Sequence, residues 1–176
     1  MPRYVAFLRG VSPMNARMPV VITPALKSCF EAAGFSDVRT LLSSGNIVFN
    51  FRASSLVSLE RRAEAAMQSE LGRSFGTIVR SSRYLQTFIA SEPFAEFELP
   101  STAKRIVTFL RSPAQESLEL PINRDGASIL KLTGSEVLCA YGPGPKGPVF
   151  MRLLERTFGV NITTRTLDTV RKCASA

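Results

Sequence analysis

Nine residues, Leu41-Leu42-Ser43-Ser44-Gly45-Asn46-Ile47-Val48-Phe49, constrain this chain more than any other stretch. Two apolar arms flank a turn of small polar residues containing glycine, the pattern of two antiparallel strands joined by a tight connection. Around this hairpin the expected elements fall into a regular order. Arg3 to Leu8 is a nearly continuous apolar run, as in a strand covered on both faces, and Arg9-Gly10 ends it. Val11-Ser12-Pro13-Met14-Asn15 reads as a loop. Thr23-Pro24 opens a helix whose stripe is Leu26, Cys29, Phe30 and Ala33 and whose stop is Gly34. A strand through Val38 to Leu42, the hairpin, and a strand from Ile47 to Phe51 follow. A second helix starts after Ser54-Ser55, repeats Leu56, Leu59, Ala63, Ala66, Met67 and Leu71 at helical spacing, and ends at Gly72. Phe75 to Arg80 is the last strand, which completes β-α-β-β-α-β, the ferredoxin-like split unit.

After a connecting helix over Ser81 to Ala90, stopped by Pro93, the pattern returns. Lys104 to Leu110 is a strand, and Ser112-Pro113-Ala114-Gln115 reads as the capped start of a short helix ending before Pro121. Ala127 to Leu132 and Glu136 to Tyr141 form a second hairpin around Thr133-Gly134, and Val149 to Phe158 is helical. A final helix from about Thr164 to Cys173 takes the place of a fourth strand or follows it. The expected fold is α+β, two ferredoxin-like halves packed together, with a C-terminal helix. The boundaries are 1–80 for the first half, 81–100 for the connection and 101–176 for the second half with its helix. No repeat is read at the level of sequence.

Composition removes several chemistries. The 176 residues contain no histidine, which excludes a histidine-dependent triad, a histidine general base and the common imidazole zinc sites. Three cysteines stand far apart and unpaired by spacing, as expected for reduced buried thiols in a cytoplasmic protein. There is no apolar run of membrane-spanning length, and Met1-Pro2-Arg3-Tyr4 leads straight into a strand, so neither secretion nor a membrane is expected. Acidic residues show no metal-loop spacing, and neither metal nor cofactor is inferred. The net charge of +8, carried mostly by arginine, points to a polyanionic partner or simply to solvated helix faces.

Three stretches could hold an anion. In a split unit the end of the first strand and the hairpin between the next two share one edge of the sheet, which brings Arg9 and Gly10 to Ser44, Gly45 and Asn46. A guanidinium fork, hydroxyls, an amide and turn N–H groups suit an oxyanion, although arginine at a strand end and Ser-Gly-Asn in a turn also need no ligand. Thr164 and Arg165 would open the last helix, where free N–H groups and the helix dipole attract anions, or Thr163 or Thr164 would merely cap it. The loop Gly142-Pro143-Gly144-Pro145-Lys146-Gly147-Pro148 precedes a helix but lacks Walker A spacing and reads as a rigid connector. Ser44 to Phe51 lies where an RNA-recognition motif would carry stacking aromatics, yet Asn46 and Val48 occupy those positions, so Phe49 and Phe51 are assigned to the core.

Taken together, Tyr4-x-Ala6-Phe7-Leu8-Arg9-Gly10, Gly34-Phe35-x-Asp37-Val38-x-Thr40, Ser44-Gly45-Asn46-Ile47-Val48-Phe49, Pro93-Phe94, Val107-x-Phe109-Leu110 and Thr164-Arg165-x-x-x-Thr169-Val170 resemble the domain of unknown function 1697 family of small, mostly bacterial proteins. The resemblance implies an α+β fold of two ferredoxin-like halves and supplies no catalytic residue. The chain departs from the family pattern at Val11-Ser12-Pro13-Met14-Asn15, at Gly147-Pro148 and at Arg165-Thr166-Leu167-Asp168, which bears on any shared ligand. The leading expectation is a protein that binds a phosphate-bearing small molecule at the edge formed by Arg9, Gly10, Ser44, Gly45 and Asn46, with Thr164 and Arg165 contributing. Non-specific nucleic-acid binding by the basic surface, and a protein-interaction module, are the rivals; no catalytic constellation is visible, and the oligomeric state is open.

Overall fold

The computed structural model describes residues 1–11, 22–42, 45–114, 118–142 and 147–176. Among these residues there are nine strands and five helices, and the strands form two antiparallel sheets. The first sheet comprises β1 (Arg3–Leu8), β2 (Ser36–Leu41), β3 (Asn46–Asn50) and β4 (Thr77–Ser81) in the order β2-β3-β1-β4. Helix α1 (Ile22–Ala32) connects β1 to β2, and α2 (Leu56–Leu71) connects β3 to β4. Ser55 caps α2 by accepting the Ser58 N–H at 3.2 Å, and Gly72, left-handed at φ 70°, ends it by donating to the Gln68 carbonyl. Both caps satisfy backbone groups that a helix end leaves without partners.

The helix-facing side of this sheet is a core of Tyr4, Ala6, Leu8, Ile47, Phe49 and Val79, packed against Leu26, Cys29 and Phe30 of α1 and Leu59, Ala63 and Met67 of α2. Phe49 is its centre: its ring lies 4.2 Å from that of Phe35 and 5.7 Å from those of Phe30 and Tyr4. A ring so enclosed contributes on the order of 2–3 kcal/mol of burial and is unavailable for stacking a base. Both faces of β1 are buried, since Val5 and Phe7 are as inaccessible as Ala6 and Leu8.

The second sheet comprises β5 (Lys104–Leu110), β6 (Ile122–Arg124), β7 (Ala127–Thr133), β8 (Glu136–Tyr141) and β9 (Ile162–Thr166) in the order β6-β7-β8-β5-β9. Helix α4 (Gly147–Phe158) covers it through Phe150, Leu153 and Leu154 against Ile106, Leu110, Ile129 and Cys139. The chain divides into two compact units, Met1–Thr87 with Arg171–Ala176, and Phe88–Val170; the divisions fall inside α3 (Ser82–Ala90) and α5 (Leu167–Ser175). No helix among the described residues is long and apolar enough to cross a membrane.

Two expected elements are corrected. Residues 112–114 and 118–121 are not helical; the chain instead makes the short strand β6 and returns through Asp125 and Gly126, both at positive φ (50° and 82°). Two consecutive left-handed residues between paired strands make a hairpin turn whose twist matches the sheet. The last helix begins at Leu167, because Ile162 to Thr166 pairs with β5 as β9. Thr166, not Thr163 or Thr164, caps it, its Oγ1 accepting the Thr169 N–H at 3.3 Å. A run of β-branched residues favours a strand here, and the neighbouring β5 supplies the pairing.

Candidate functional site

The edge expected from the split-unit topology is assembled by two backbone hydrogen bonds. The Leu8 N–H donates to the Gly45 carbonyl at 2.8 Å, tying the end of β1 to the hairpin between β2 and β3. The next residue, Arg9, donates its N–H to the Gly76 carbonyl at 2.8 Å, tying the same end to the segment that enters β4. Arg9 is half-buried and Gly10 exposed. Gly10 turns the chain at φ 83°, and no atom of the described residues lies within 4 Å of where its Cβ would stand. Gly45, at φ 77°, is the opposite case: a Cβ there would meet Val11 Cβ at 3.0 Å, Leu8 Cβ at 3.1 Å and the Leu8 carbonyl at 3.2 Å. Only glycine lets the hairpin approach β1 this closely.

Asn46 is inside the fold, 1% exposed, and its Nδ2 donates to the Leu41 carbonyl at 3.1 Å across the hairpin. The amide therefore holds the turn rather than reaching solvent. Ser44 lies outside the described residues. Thr164 and Arg165 belong to the other compact unit and sit on β9, paired with Thr108 and Val107. Arg165 spends one nitrogen, Nη1, on the Thr163 hydroxyl and the Thr164 carbonyl, both at 2.7 Å, and the Thr164 hydroxyl donates to Met151 Sδ at 3.9 Å. They are strand residues, so the helix-terminus argument for them lapses.

Arg73 is an edge residue that sequence reasoning missed. Its guanidinium carbon stands 4.7 Å from the centre of the Phe75 ring, and Phe75 is followed by Gly76, which receives the Arg9 N–H. A guanidinium over an aromatic face is held by the ring quadrupole while keeping its outer N–H groups for other partners. Arg9 and Arg73 thus meet successive residues of the segment that enters β4 from opposite sides: a Cβ at Gly76 would lie 3.8 Å from Arg9 Cβ, while Phe75 turns into the helix-facing core.

The second unit repeats this construction. Leu110 donates to the Ser135 carbonyl at 2.8 Å and Arg111 to the Asn161 carbonyl at 3.2 Å, the counterparts of the Leu8 and Arg9 bonds. Registers agree as well: Phe7 faces Asn46 and Ile78, and Phe109 faces Glu136 and Thr163. Arg80 and Arg165, opposite Val5 and Val107, each donate Nη1 to the preceding carbonyl, at 2.9 and 2.7 Å. The signal is visible in the sequence, since Val5-Ala6-Phe7-Leu8-Arg9 and Val107-Thr108-Phe109-Leu110-Arg111 differ at one position, a repeat that reading each half by its elements passes over.

Among the described residues no group of three or more potential metal ligands gathers. The three cysteines are buried and form no disulfide. Burial pushes the Cys139 thiol up to about 12, against a weaker opposing hydrogen bond from Thr108, and burial, helped by the Glu70 charge, also raises Cys29. Thiols held protonated are poor nucleophiles. A cavity of about 420 Å³ opens in the second unit beside Leu110, Ser112, Thr157 and Asn161, with no charged side chain in its described lining.

The model of one family, described as a protein of unknown function (DUF1697), matches residues 1–137. Among solved structures, that of the conserved bacterial protein SP0830 from Streptococcus pneumoniae is similar at 19% identity with a TM-score of 0.68, covering 99% of this chain and 97% of that one. At that identity the likeness concerns the fold. No curated protein matches.

Proposed function

We propose that this chain, which belongs to the DUF1697 family of proteins of unknown function, binds a small phosphate-bearing ligand at the edge of its first sheet. We read each sheet as a form of the ferredoxin-like split unit; the order β2-β3-β1-β4 supports this for the first, and β7-β8-β5-β9 with the added edge strand β6 for the second. The observation that carries the binding proposal is the pair of bonds from Leu8 and Arg9 to Gly45 and Gly76. They set Arg9 and the left-handed backbone at Gly10 at the end of β1, beside the hairpin and the segment that enters β4. Arg9 supplies charge, and the left-handed Gly10 turn offers its backbone to a phosphate. Gly45 and Asn46 hold the hairpin in position. Thr164 and Arg165 are not assigned to this ligand.

The test is thermal stabilisation of the wild type and Arg9→Ala by inorganic phosphate and mononucleotides, at low and high salt. A ligand that binds only the folded state raises the melting temperature by mass action. Charge-assisted bonds from one guanidinium are worth about 1.5–3 kcal/mol, so Arg9→Ala should weaken phosphate binding by roughly 10- to 100-fold with the circular dichroism unchanged. Equal stabilisation of both proteins overturns the assignment of Arg9. Stabilisation only by long nucleic acids, and only at low salt, favours the rival reading from the +8 net charge.

A further inference from the structure

The two compact units carry very different charge. Residues 1–87 with 171–176 contain 13 Lys and Arg against five Asp and Glu, whereas residues 88–170 contain nine of each sign, so the whole net charge of +8 belongs to the first unit. Charge confined to one half of a chain points to a polyanionic partner of that half. One patch of the first unit has the geometry to use it. The half-buried Phe51 ring is fixed by Phe35, whose buried ring meets it edge-on at 5.1 Å and 88°. Two exposed guanidiniums share that ring, Arg52 at 5.6 Å and Arg62 at 5.3 Å from its centre. Arg62 is held a second time, its Nη1 donating to the Ala33 carbonyl at 2.9 Å. The Arg52 guanidinium makes no hydrogen bond or ion pair among the described residues. Gly34 brings bare backbone to the same pair, since a Cβ there would stand 4.0 Å from both Arg62 Nη1 and Phe51 Cε2.

We propose that this patch is an interface for single-stranded nucleic acid, with Arg52 and Arg62 meeting backbone phosphates and offering guanidinium planes to unstacked bases. A guanidinium seated on a ring is restrained without losing its N–H donors, so less is lost in ordering it against a phosphate. Unpaired bases have the free faces that aromatic and guanidinium planes take up, and a duplex hides them. A membrane surface attracts Lys and Arg alike, whereas 11 of the 13 cations of this unit are arginine, whose planar fork suits phosphodiesters. The interface is independent of the edge proposed above. Asn50, which precedes Phe51, pairs with Arg3 at the start of β1, so the patch lies at the opposite end of the first sheet from Arg9.

The experiment is fluorescence anisotropy of a labelled oligothymidylate titrated with the full chain. Wild-type affinity is expected to fall steeply from about 50 to 200 mM salt. Arg52→Gln and Arg62→Gln are each expected to weaken binding about fivefold. Each should also lower the slope of log K against log salt by about 0.7, the share of one phosphate on a single strand. Arg152→Gln, which removes an exposed cation on α4 of the neutral unit, is expected to change affinity less than about twofold. Equal losses from Arg152→Gln and Arg52→Gln would spread the binding over the whole chain and overturn the interface. So would a wild type silent at the lowest salt, or a folded Arg52→Gln that binds as the wild type does. Tighter binding to phosphatidylserine vesicles than to the oligonucleotide overturns the choice of partner. If Arg62→Gln, which also loses the Ala33 bond, fails to fold, Arg52→Gln decides.

Discussion

Replacing Gly45 by alanine separates two costs that usually arrive together. At φ 77° any L residue is strained by about 1–2 kcal/mol, because its Cβ crowds its own backbone. The second cost is external: the new methyl would lie 3.0 Å from Val11 Cβ, 3.1 Å from Leu8 Cβ and 3.2 Å from the Leu8 carbonyl. Carbon atoms prefer about 3.5–4.0 Å, so each contact is pressed into its repulsive wall. Leu8 cannot simply step aside, being 1% exposed and bound through its N–H to Gly45 itself. Overpacking of this kind costs about 1–3 kcal/mol, giving roughly 2–5 kcal/mol in total. Gly10→Ala is the internal control, with φ 83° and no atom of the described residues within 4 Å of the new methyl, so it should show the backbone cost alone. Urea unfolding followed by circular dichroism measures both, and for a chain of this size each kcal/mol corresponds to about 2–4 °C in melting temperature. Equal losses for the two variants would refute the argument that close approach of hairpin and first strand, rather than backbone conformation, requires glycine at position 45.

Two further outcomes test other parts of the fold. Ser55→Ala removes the acceptor for the Ser58 N–H at the start of α2 and should lower stability by about 1 kcal/mol in the same urea assay, with little change in the folded spectrum. Cys139 gives a pH effect of definite sign. Its folded thiol is raised to about 12, so as pH climbs above about 9 the unfolded chain loses this proton while the folded chain keeps it. Stability then falls by about 1.4 kcal/mol per pH unit until the folded thiol also ionises, and is fully present below the unfolded value. Cys139→Ala should remove that share of the alkaline decline, read as the difference between variant and wild-type urea midpoints at pH 8 and pH 10; parallel declines would place the effect elsewhere.

The first unit was legible because its local signals agree with its packing. Ser55 and Gly72 bound α2 as their capping chemistry implies, the Ser-Ser-Gly-Asn segment joins β2 to β3, and Phe49 lies in the core. The bringing together of Arg9 and Gly45 also followed from topology, since a β-α-β-β order leaves few ways to return the hairpin to the first strand. The second unit was less legible. Ser112-Pro113-Ala114-Gln115 has the residues of a helix start but only a short window behind it, while Asp125-Gly126, a strong hairpin signal, was passed over because Ile122–Arg124 is only three residues long. At Ile162 to Thr166 the hydroxyl-rich run resembles a helix cap, and its pairing with Lys104–Leu110 far away in sequence decides it as a strand.

By itself, then, the sequence determined the element order of the first unit, the hairpins at Gly45 and Gly134, the Ser55 and Gly72 caps and the apolar stripes, because these depend on backbone conformation and on periodicity within a few residues. It also contained the repeated Val-x-Phe-Leu-Arg at the ends of β1 and β5. The tertiary structure alone decided which polar residues of the candidate edge are buried and which remain at the surface. Asn46 looked like a ligand group, yet the pairing of Phe7 with Asn46 carries its amide inside, where it bonds Leu41. Glu136 read only as the start of a strand, and its register opposite Phe109 of β5 buries it completely. The reason is that strand register assigns each side chain to a face, and a register is a property of two distant segments that neither specifies alone.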